Sequence, residues 1–147
     1  MADRLNDILQ REGSSHPHER YAYAAALFFY SGDNGYSNIT QQIKYNGDQA
    51  AGKHFGNILG RHLATSESFN DADLIIPVPL HWRRHWKRGY NQAEVIASAI
   101  AECLRVPLRT DIIKRSRMTQ SQTKLNIEEK GKNVAGAFQP HEGLTDI

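Results

Sequence analysis

The segment from Asp73 to Pro79 is a short, continuous apolar run that contains two prolines near its end. Such a run is typical of a β-strand that is buried on both faces, as in a parallel sheet covered by helices. Pro77 and Pro79 must end the hydrogen-bonded ladder, because proline has no N–H to donate. The sequence therefore predicts a buried strand whose carboxyl end opens directly into the residues that follow.

A basic segment follows this strand and leads into the start of a helix, where Asn91 and Glu94 have the spacing of a capping box. Loops at the carboxyl ends of parallel strands bind ligands in α/β folds, and the free N–H groups of a helix N-terminus attract anions. We therefore predict a phosphate or pyrophosphate site here; the alternative interpretation is a solvated basic loop. The predicted site residues are Arg83, Arg84, Lys87, Arg88, Gly89, Tyr90 and Asn91.

The charges are divided unevenly along the 147 residues, although the whole chain carries only +2. Residues 1–80 hold 6 basic and 9 acidic side chains, whereas residues 81–147 hold 12 and 7. The second half is therefore the candidate anion-binding half. Trp82 and Trp86 flank the basic side chains, and two roles stay open for them: stacking on a base or sugar, or packing the loop onto the domain.

Helical and extended segments alternate along the chain. Apolar residues recur at helical spacing in residues 51–63 and 93–104. Because strands separated by helices are typical of an α/β fold, we predict a largely parallel sheet in one domain at 21–147, preceded by an N-terminal helix and lead-in loop at 1–20. The predicted extended segments are residues 21–30, 74–76, 106–108, 111–113 and 134–138.

Four other sequence features argue against a P-loop, a metal site, a disulfide and a membrane span. Gly47 to His54 resembles a P-loop, but His54 stands where Ser or Thr is needed, so we interpret it as a helix–helix junction. His81 and His85 lack a third nearby ligand, so no metal site is predicted. The single cysteine, Cys103, excludes an internal disulfide and is expected to be a buried, inert thiol. No apolar run suits a signal or a membrane span, so we expect a cytoplasmic protein.

The order of several short pieces resembles the competence protein F family of phosphoribosyltransferase-like proteins. The resemblance runs from about residue 20 to the end of the chain. It is most specific in Arg88–Gln92 and in the spacing from Gln122 to Asn133. The matching pieces are Lys44–Gly47, Pro77–His81, Arg88–Gln92, Arg115, Arg117, Thr119, Gln122, Leu125, Lys130, Asn133, Ala137 and Phe138.

The resemblance implies the type I phosphoribosyltransferase fold, a parallel sheet flanked by helices. Glycosyltransferases of this fold bind phosphoribosyl pyrophosphate (PRPP) with Mg²⁺ and displace pyrophosphate from the ribose C1. By the resemblance, residues 77–88 meet the pyrophosphate, and the long polar segment 114–133 is a mobile hood that excludes water from the site. The competence branch is bacterial and linked to DNA uptake. The implied hood residues are Arg115, Arg117, Gln122, Lys124, Lys130 and Asn133.

The chain departs from this family pattern in three places. It has no Cys-rich zinc-binding segment, and Lys130 stands where arginine is usual, which keeps the charge but loses the bidentate fork. The family's PRPP loop is expected directly after Ile147, the last residue. We therefore expect a fragment that lacks the C-terminal strands and is catalytically inactive. Mg²⁺ with PRPP is then expected in a complete parent, and no bound cofactor in the fragment.

Two expectations about partners follow. Without the next strand, Leu74 to Ile76 would present an open apolar edge, which favours self-association. The second interpretation of function is a non-catalytic adaptor, without membrane insertion, that binds single-stranded DNA or a protein partner in DNA uptake or processing. Stacking aromatics with a steep salt dependence of binding would favour the adaptor, whereas an acidic pair beyond residue 147 would favour the enzyme.

Overall fold

The computed structural model describes residues 23–28, 47–119 and 127–141. In these ranges helices are combined with a two-stranded antiparallel sheet, so helix and strand are mixed as predicted. The helix predicted within residues 1–20 lies outside them. None of the described helices has the length and apolar character needed to span a membrane. The elements are α1 (Gln49–Ala64), α2 (Trp82–Arg88), α3 (Gln92–Leu104), β1 (Ile113–Arg115), α4 (Ile127–Val134) and β2 (Phe138–Pro140).

Helix α1 is capped by side chains at both ends. Asp48 Oδ1 accepts a hydrogen bond from the N–H of Ala51 at 2.8 Å, which satisfies one of the free donors of the first turn. At the other end the Thr65 hydroxyl donates to the carbonyl of His62 at 3.1 Å. Residues 49–54 of the P-loop-like stretch lie inside this helix and do not form a phosphate-binding loop. The residues just before Gly47, on the other side of the predicted helix–helix junction, lie outside the described ranges.

Helices α1 and α3 pack together along a row of buried glycines on α1. A Cβ atom built on Gly56 would lie 2.8 Å from the carbonyl oxygen of Ile96 and 2.9 Å from the Cβ of Ala99. The bare backbone of Gly56 therefore sets how closely the two helices approach. The buried residues of this contact and of α3 are small: Gly52, Gly56, Gly60, Ala97, Ala99 and Ala101.

Residues 23–28 contact α1 and the turn after it through aromatic rings. The Phe28 and Phe55 rings meet edge to face with centroids 5.4 Å apart, and the Tyr23 and Phe69 centroids are 5.9 Å apart. The strand predicted for residues 21–30 does not form in this described part, where residues 23–28 are neither strand nor helix.

The apolar segment 73–79 pairs in parallel with the chain that follows α3. The N–H of Ile75 donates to the carbonyl of Pro107, and the N–H of Arg109 donates to the carbonyl of Ile75, both at 2.9 Å. Burial on both faces was wrong for Ile76 and Val78, which are 37% and 61% exposed. In the described ranges, parallel pairing is confined to this bridge, so the parallel sheet and the self-association of its edge stay predictions.

Residues 82–88 form helix α2, where the sequence analysis expected a loop. The Nδ1 atom of His81 accepts from the N–H of Arg83 at 3.3 Å, and Gly89 ends the helix in the left-handed conformation at φ +82°. These capping residues define the helix, although its basic sequence has no apolar periodicity. The expected carboxyl-terminal loop of the strand is therefore reduced to the residues just before His81.

Residues 114–133 form a second basic region of the sequence, after the one at residues 83–88. It begins in β1, which pairs with β2 in an antiparallel sheet, so that Lys114 faces Gln139 and Arg115 faces Phe138. β1 lies two residues after its predicted position, and β2 begins four residues after its predicted start, because residue 134 is still in α4. The segment predicted as one long polar hood thus contains a strand and a helix in its described part. Residues 120–126 lie outside the described ranges.

Candidate anion-binding site

Two buried polar residues hold helix α2 in place, one at each side. His81 and Asn91 are each 7% exposed and cap the N-termini of α2 and α3. Asn91 Oδ1 accepts from the N–H of Ala93 at 3.1 Å, while its Nδ2 donates to the carbonyl of Val78 at 3.1 Å. The Asn91 side chain therefore joins the start of α3 to the extended segment that precedes α2. Helix α2 lies in the chain between these two joined points.

Arg84 and Arg115 converge on one residue from opposite parts of the sequence. The Arg84 Nη2 donates to the Thr119 carbonyl oxygen at 2.5 Å, and the Arg115 Nη2 donates to the Thr119 hydroxyl oxygen. Thr119 itself is only 4% exposed. This Arg84–Thr119–Arg115 cluster connects α2 to the segment after β1, so it brings together one arginine from each of the two basic regions that the sequence shows.

The electrostatics of this cluster favour a negatively charged ligand. Burial lowers the pKa of Arg115, and the neighbouring positive charge of Arg84 lowers it further. Neither arginine takes part in the ion pairs Lys53–Glu102 and Arg109–Asp111, which lie elsewhere in the described ranges. Two cations thus share a half-buried position with uncharged acceptors, an arrangement that an anion would relieve.

One hydrogen-bond donor of Arg115, its Nε–H group, is not used by the described residues. Its Nε is buried without a partner in the structure, and its guanidinium lies over the Phe138 ring with Cζ 5.1 Å from the centroid. An unsatisfied buried donor costs free energy, and it is satisfied when an acceptor enters. Phe138 on β2 orients the guanidinium from behind by a cation–π contact.

The rest of the predicted pyrophosphate site does not lie in this cluster. Gly89, Tyr90 and Asn91 line an open cavity of about 410 Å³ on another side of α2, together with Lys53 of α1 and Glu94 of α3. Arg88 is half-buried at the end of α2. The predicted set is thus not gathered at one place but divided among different sides of one short helix.

The outward side of α2 is aromatic and basic. Trp82 and Trp86 are 66% and 87% exposed, so they do not pack the segment onto the domain. The Arg83 guanidinium lies over the Trp82 ring, with Cζ 5.1 Å from the centroid. Both tryptophans line one surface depression with Arg83 and Lys87. The packing role left open in the sequence analysis was therefore wrong for these two side chains.

Of the predicted hood residues, Arg115 lies in the cluster and Arg117 has a structural role. The Arg117 Nη2 donates to the carbonyls of Asn133 and Ala135, at 3.1 and 2.7 Å, and so caps the end of α4. Lys130 lies within α4. Gln122 and Lys124 are outside the described residues.

Thr119 and Phe138 were part of the family resemblance but had no predicted role in the site. Thr119 follows Arg115 by four residues and precedes no apolar or charged pattern that marks it as buried. Only the long-range contact with Arg84, 35 residues away, reveals its position.

A metal site needs at least three His, Cys, Asp or Glu side chains close together, and the described part of the chain contains no such group.

The comparison with known proteins supports the resemblance over part of the chain. Competence protein F of Haemophilus influenzae is 38% identical over 66 residues, which is 45% of this chain and 29% of the relative. The aligned part thus spans less than a third of that protein's length. No family model matches the chain, and no solved structure matches it.

Proposed function

We propose that this chain carries the pyrophosphate-binding part of a phosphoribosyltransferase-like protein of the competence F type. The observation that carries the proposal is the convergence of Arg84 and Arg115, neither of which forms an ion pair with a carboxylate in the described part of the chain. Arginine presents its donors in a planar fork that fits two oxygens of a phosphate group. The relative named competence protein F supports a role linked to competence.

PRPP is the ligand that the family resemblance brings to this site. Its pyrophosphate would take the hydrogen bonds of both arginines, and their charges would stabilise the leaving pyrophosphate as negative charge accumulates on it. The type I phosphoribosyltransferase fold, the transferase reaction and the part in DNA uptake are proposed for the whole protein, in a cytoplasmic setting.

Magnesium fits this proposal as a companion of the ligand. The described residues near the arginine cluster supply guanidinium groups, and these donate hydrogen bonds but do not ligate cations. Mg²⁺ prefers phosphate oxygens with one or two carboxylates and several waters. Bound to PRPP it would neutralise part of the phosphate charge, while Arg84 and Arg115 hold the remaining oxygens.

Titration calorimetry with pyrophosphate tests the proposal. Arg84→Ala and Arg115→Ala are each expected to weaken binding about 10- to 100-fold, because a hydrogen bond to a charged group contributes about 1.5–3 kcal/mol. Arg61→Ala is the matched control, since it removes one exposed arginine from the distant end of α1. Equal affinity in all four proteins, or no binding by any, would overturn the proposal.

A second candidate function is supported by the outward side of α2. Trp82 and Trp86 are one helical turn apart, about 6 Å along the axis, whereas stacked bases are about 3.4 Å apart. A strand would have to unstack to place a base on each indole, which favours single-stranded over duplex nucleic acid. Arg83 and Lys87 beside the rings supply charges for the phosphates.

Fluorescence anisotropy with a labelled oligothymidine tests this second function separately. Trp86→Ala is expected to weaken binding by roughly 5- to 100-fold, the scale of one base stacked on an aromatic ring, whereas Trp86→Phe keeps most of the affinity. Arg84→Ala should change it little, because Arg84 points to Thr119. A Trp86→Ala protein with wild-type affinity would exclude this surface as the contact.

A further inference from the structure

Thr119 gives one oxygen to each of the two arginines of the cluster. Its backbone carbonyl accepts from Arg84, and its side-chain hydroxyl oxygen accepts from Arg115. Both acceptors are uncharged, although both donors are cations. Thr119 is also almost completely buried, at 4% exposed, so its two oxygens are held at fixed positions between the guanidinium groups.

A single phosphate group could accept from both arginines in the same way, with one of its oxygens for each guanidinium. We propose that Thr119 is an internal competitor for the anion, occupying the places of two phosphate oxygens and leaving both arginines when a phosphate or pyrophosphate enters. The inference rests on the proposed function and names the regulation of that same site.

The exchange has a clear driving force. A hydrogen bond from a guanidinium to an anionic oxygen joins two opposite charges, so it is stronger than one from the same guanidinium to a neutral oxygen. The anion would also offset the repulsion between Arg84 and Arg115, which Thr119 cannot do, and would offer an acceptor to the buried Arg115 Nε. Thr119 thus keeps the arginines ordered and in reach without matching the affinity of the ligand.

The exchange also changes how the two basic regions are connected. Arg115 and Thr119 belong to one segment, whereas Arg84 belongs to α2, so the Thr119 carbonyl ties that segment to α2. An anion would replace this tie with its own contacts to both arginines. Ligand entry would therefore release Thr119 and the residues beside it, while α2 and β1 stay joined through the anion.

The decisive variants remove or keep the Thr119 hydroxyl. Thr119→Val has nearly the same shape but no acceptor for Arg115, so pyrophosphate is expected to bind about 3- to 10-fold more tightly, the net size of a typical intramolecular hydrogen bond. Thr119→Ser keeps the oxygen and should bind like the wild type. Thr65→Val is the matched control, because it removes an exposed threonine hydroxyl at the end of α1.

Calorimetry with pyrophosphate distinguishes the outcomes. Tighter binding by Thr119→Val alone supports the competitor. Equal affinity in the wild type and Thr119→Val, with weaker binding by Arg84→Ala, overturns the competitor and leaves the proposed function standing. No binding by any of these proteins overturns both.

Hydrogen exchange of the wild-type protein gives a second measurement that needs no variant to fold. The amide of Thr119, which is 4% exposed in the free protein, should exchange faster when pyrophosphate is added, because Thr119 is released. The amides of α3 should keep their exchange rates, since the hydrogen bonds that Thr119 would lose go to α2 and β1. Slower hydrogen exchange at Thr119 with bound pyrophosphate would contradict the displacement.

Discussion

Gly60 and Cys103 hold α1 and α3 so close together that a Cβ atom on Gly60 would lie 2.8 Å from the Cβ of Cys103 and 3.0 Å from its Sγ. The thiol also lies 3.7 Å from Asn57 Oδ1, within the range of a weak sulfur hydrogen bond. Cys103 is half-buried and not fully enclosed as the sequence had suggested. The contact depends on the absence of a side chain at residue 60, and this makes the helix pair sensitive to a single methyl group.

Alanine substitutions of the glycines in the α1–α3 contact should therefore destabilise the protein, whereas one in α4 should stabilise it. Gly56→Ala would place its Cβ against the backbone of Ile96, which cannot yield as a flexible side chain does. We expect a loss of about 1–3 kcal/mol in the free energy of unfolding, the cost of overpacking. Gly131→Ala is the control, because a Cβ there meets nothing within 4 Å, and it should gain about 0.4–1 kcal/mol.

Urea denaturation of the two variants measures these differences. A Gly56→Ala protein that is as stable as Gly131→Ala would contradict the close packing of α1 against α3 at this glycine.

The Asn91 side chain has two separable functions, a helix cap and a tie to Val78. Asn91→Ala loses both and should cost about 1–3 kcal/mol, combining the lost cap and the lost amide hydrogen bond. Asn91→Asp keeps the capping oxygen but has no N–H for the Val78 carbonyl. Thermal unfolding should therefore place Asn91→Asp below the wild type as well, and full recovery by aspartate would show that the tie contributes nothing.

The Arg109–Asp111 pair predicts a pH dependence of stability. Its hydrogen bonds, at 2.8 and 2.9 Å, hold the pKa of Asp111 below its ordinary value, with the hydrogen bond from Arg109 as the main cause. A carboxyl whose pKa is lower in the folded state stabilises that state above its unfolded pKa, and the stabilisation is lost as the pH falls through the folded value. Asp111→Asn should therefore be less stable than the wild type at neutral pH.

The stability difference between these two proteins should shrink as the pH falls through the acidic range. It should also shrink in high salt, because the pair is exposed. Denaturation at a series of pH values gives the profile, and a difference that does not change with pH would contradict the pair's contribution.

Arg117 should stabilise the end of α4 and not the anion site. Arg117→Ala leaves the carbonyls of Asn133 and Ala135 without their cationic donor, at a local cost of about 1–2 kcal/mol. Faster hydrogen exchange is expected at the amide of Ala135, which bonds to the Gly131 carbonyl. The affinity for pyrophosphate should stay close to the wild-type value. A loss of affinity as large as that of Arg84→Ala would show instead that Arg117 contacts the ligand.

The sequence predicts α1 and α3 well because each has an apolar face at helical spacing and a polar cap beside it. It predicts the basic character of residues 83–88 but not their helix, since α2 depends on His81 and Gly89 at its ends and has no apolar stripe. It misses the Arg84–Thr119 contact for a different reason. Residues 35 apart meet only through the tertiary fold, and no local spacing encodes that meeting.

Helix α2 combines a fixed position with a largely exposed surface. None of its seven residues is buried, whereas the anchors on either side of it, His81 and Asn91, are. Substitutions within α2 should therefore leave folding largely intact while changing what the protein contacts. Such a helix is a ready place for divergence among related genes, because selection can alter ligand preference there without first securing a compensating change in the core.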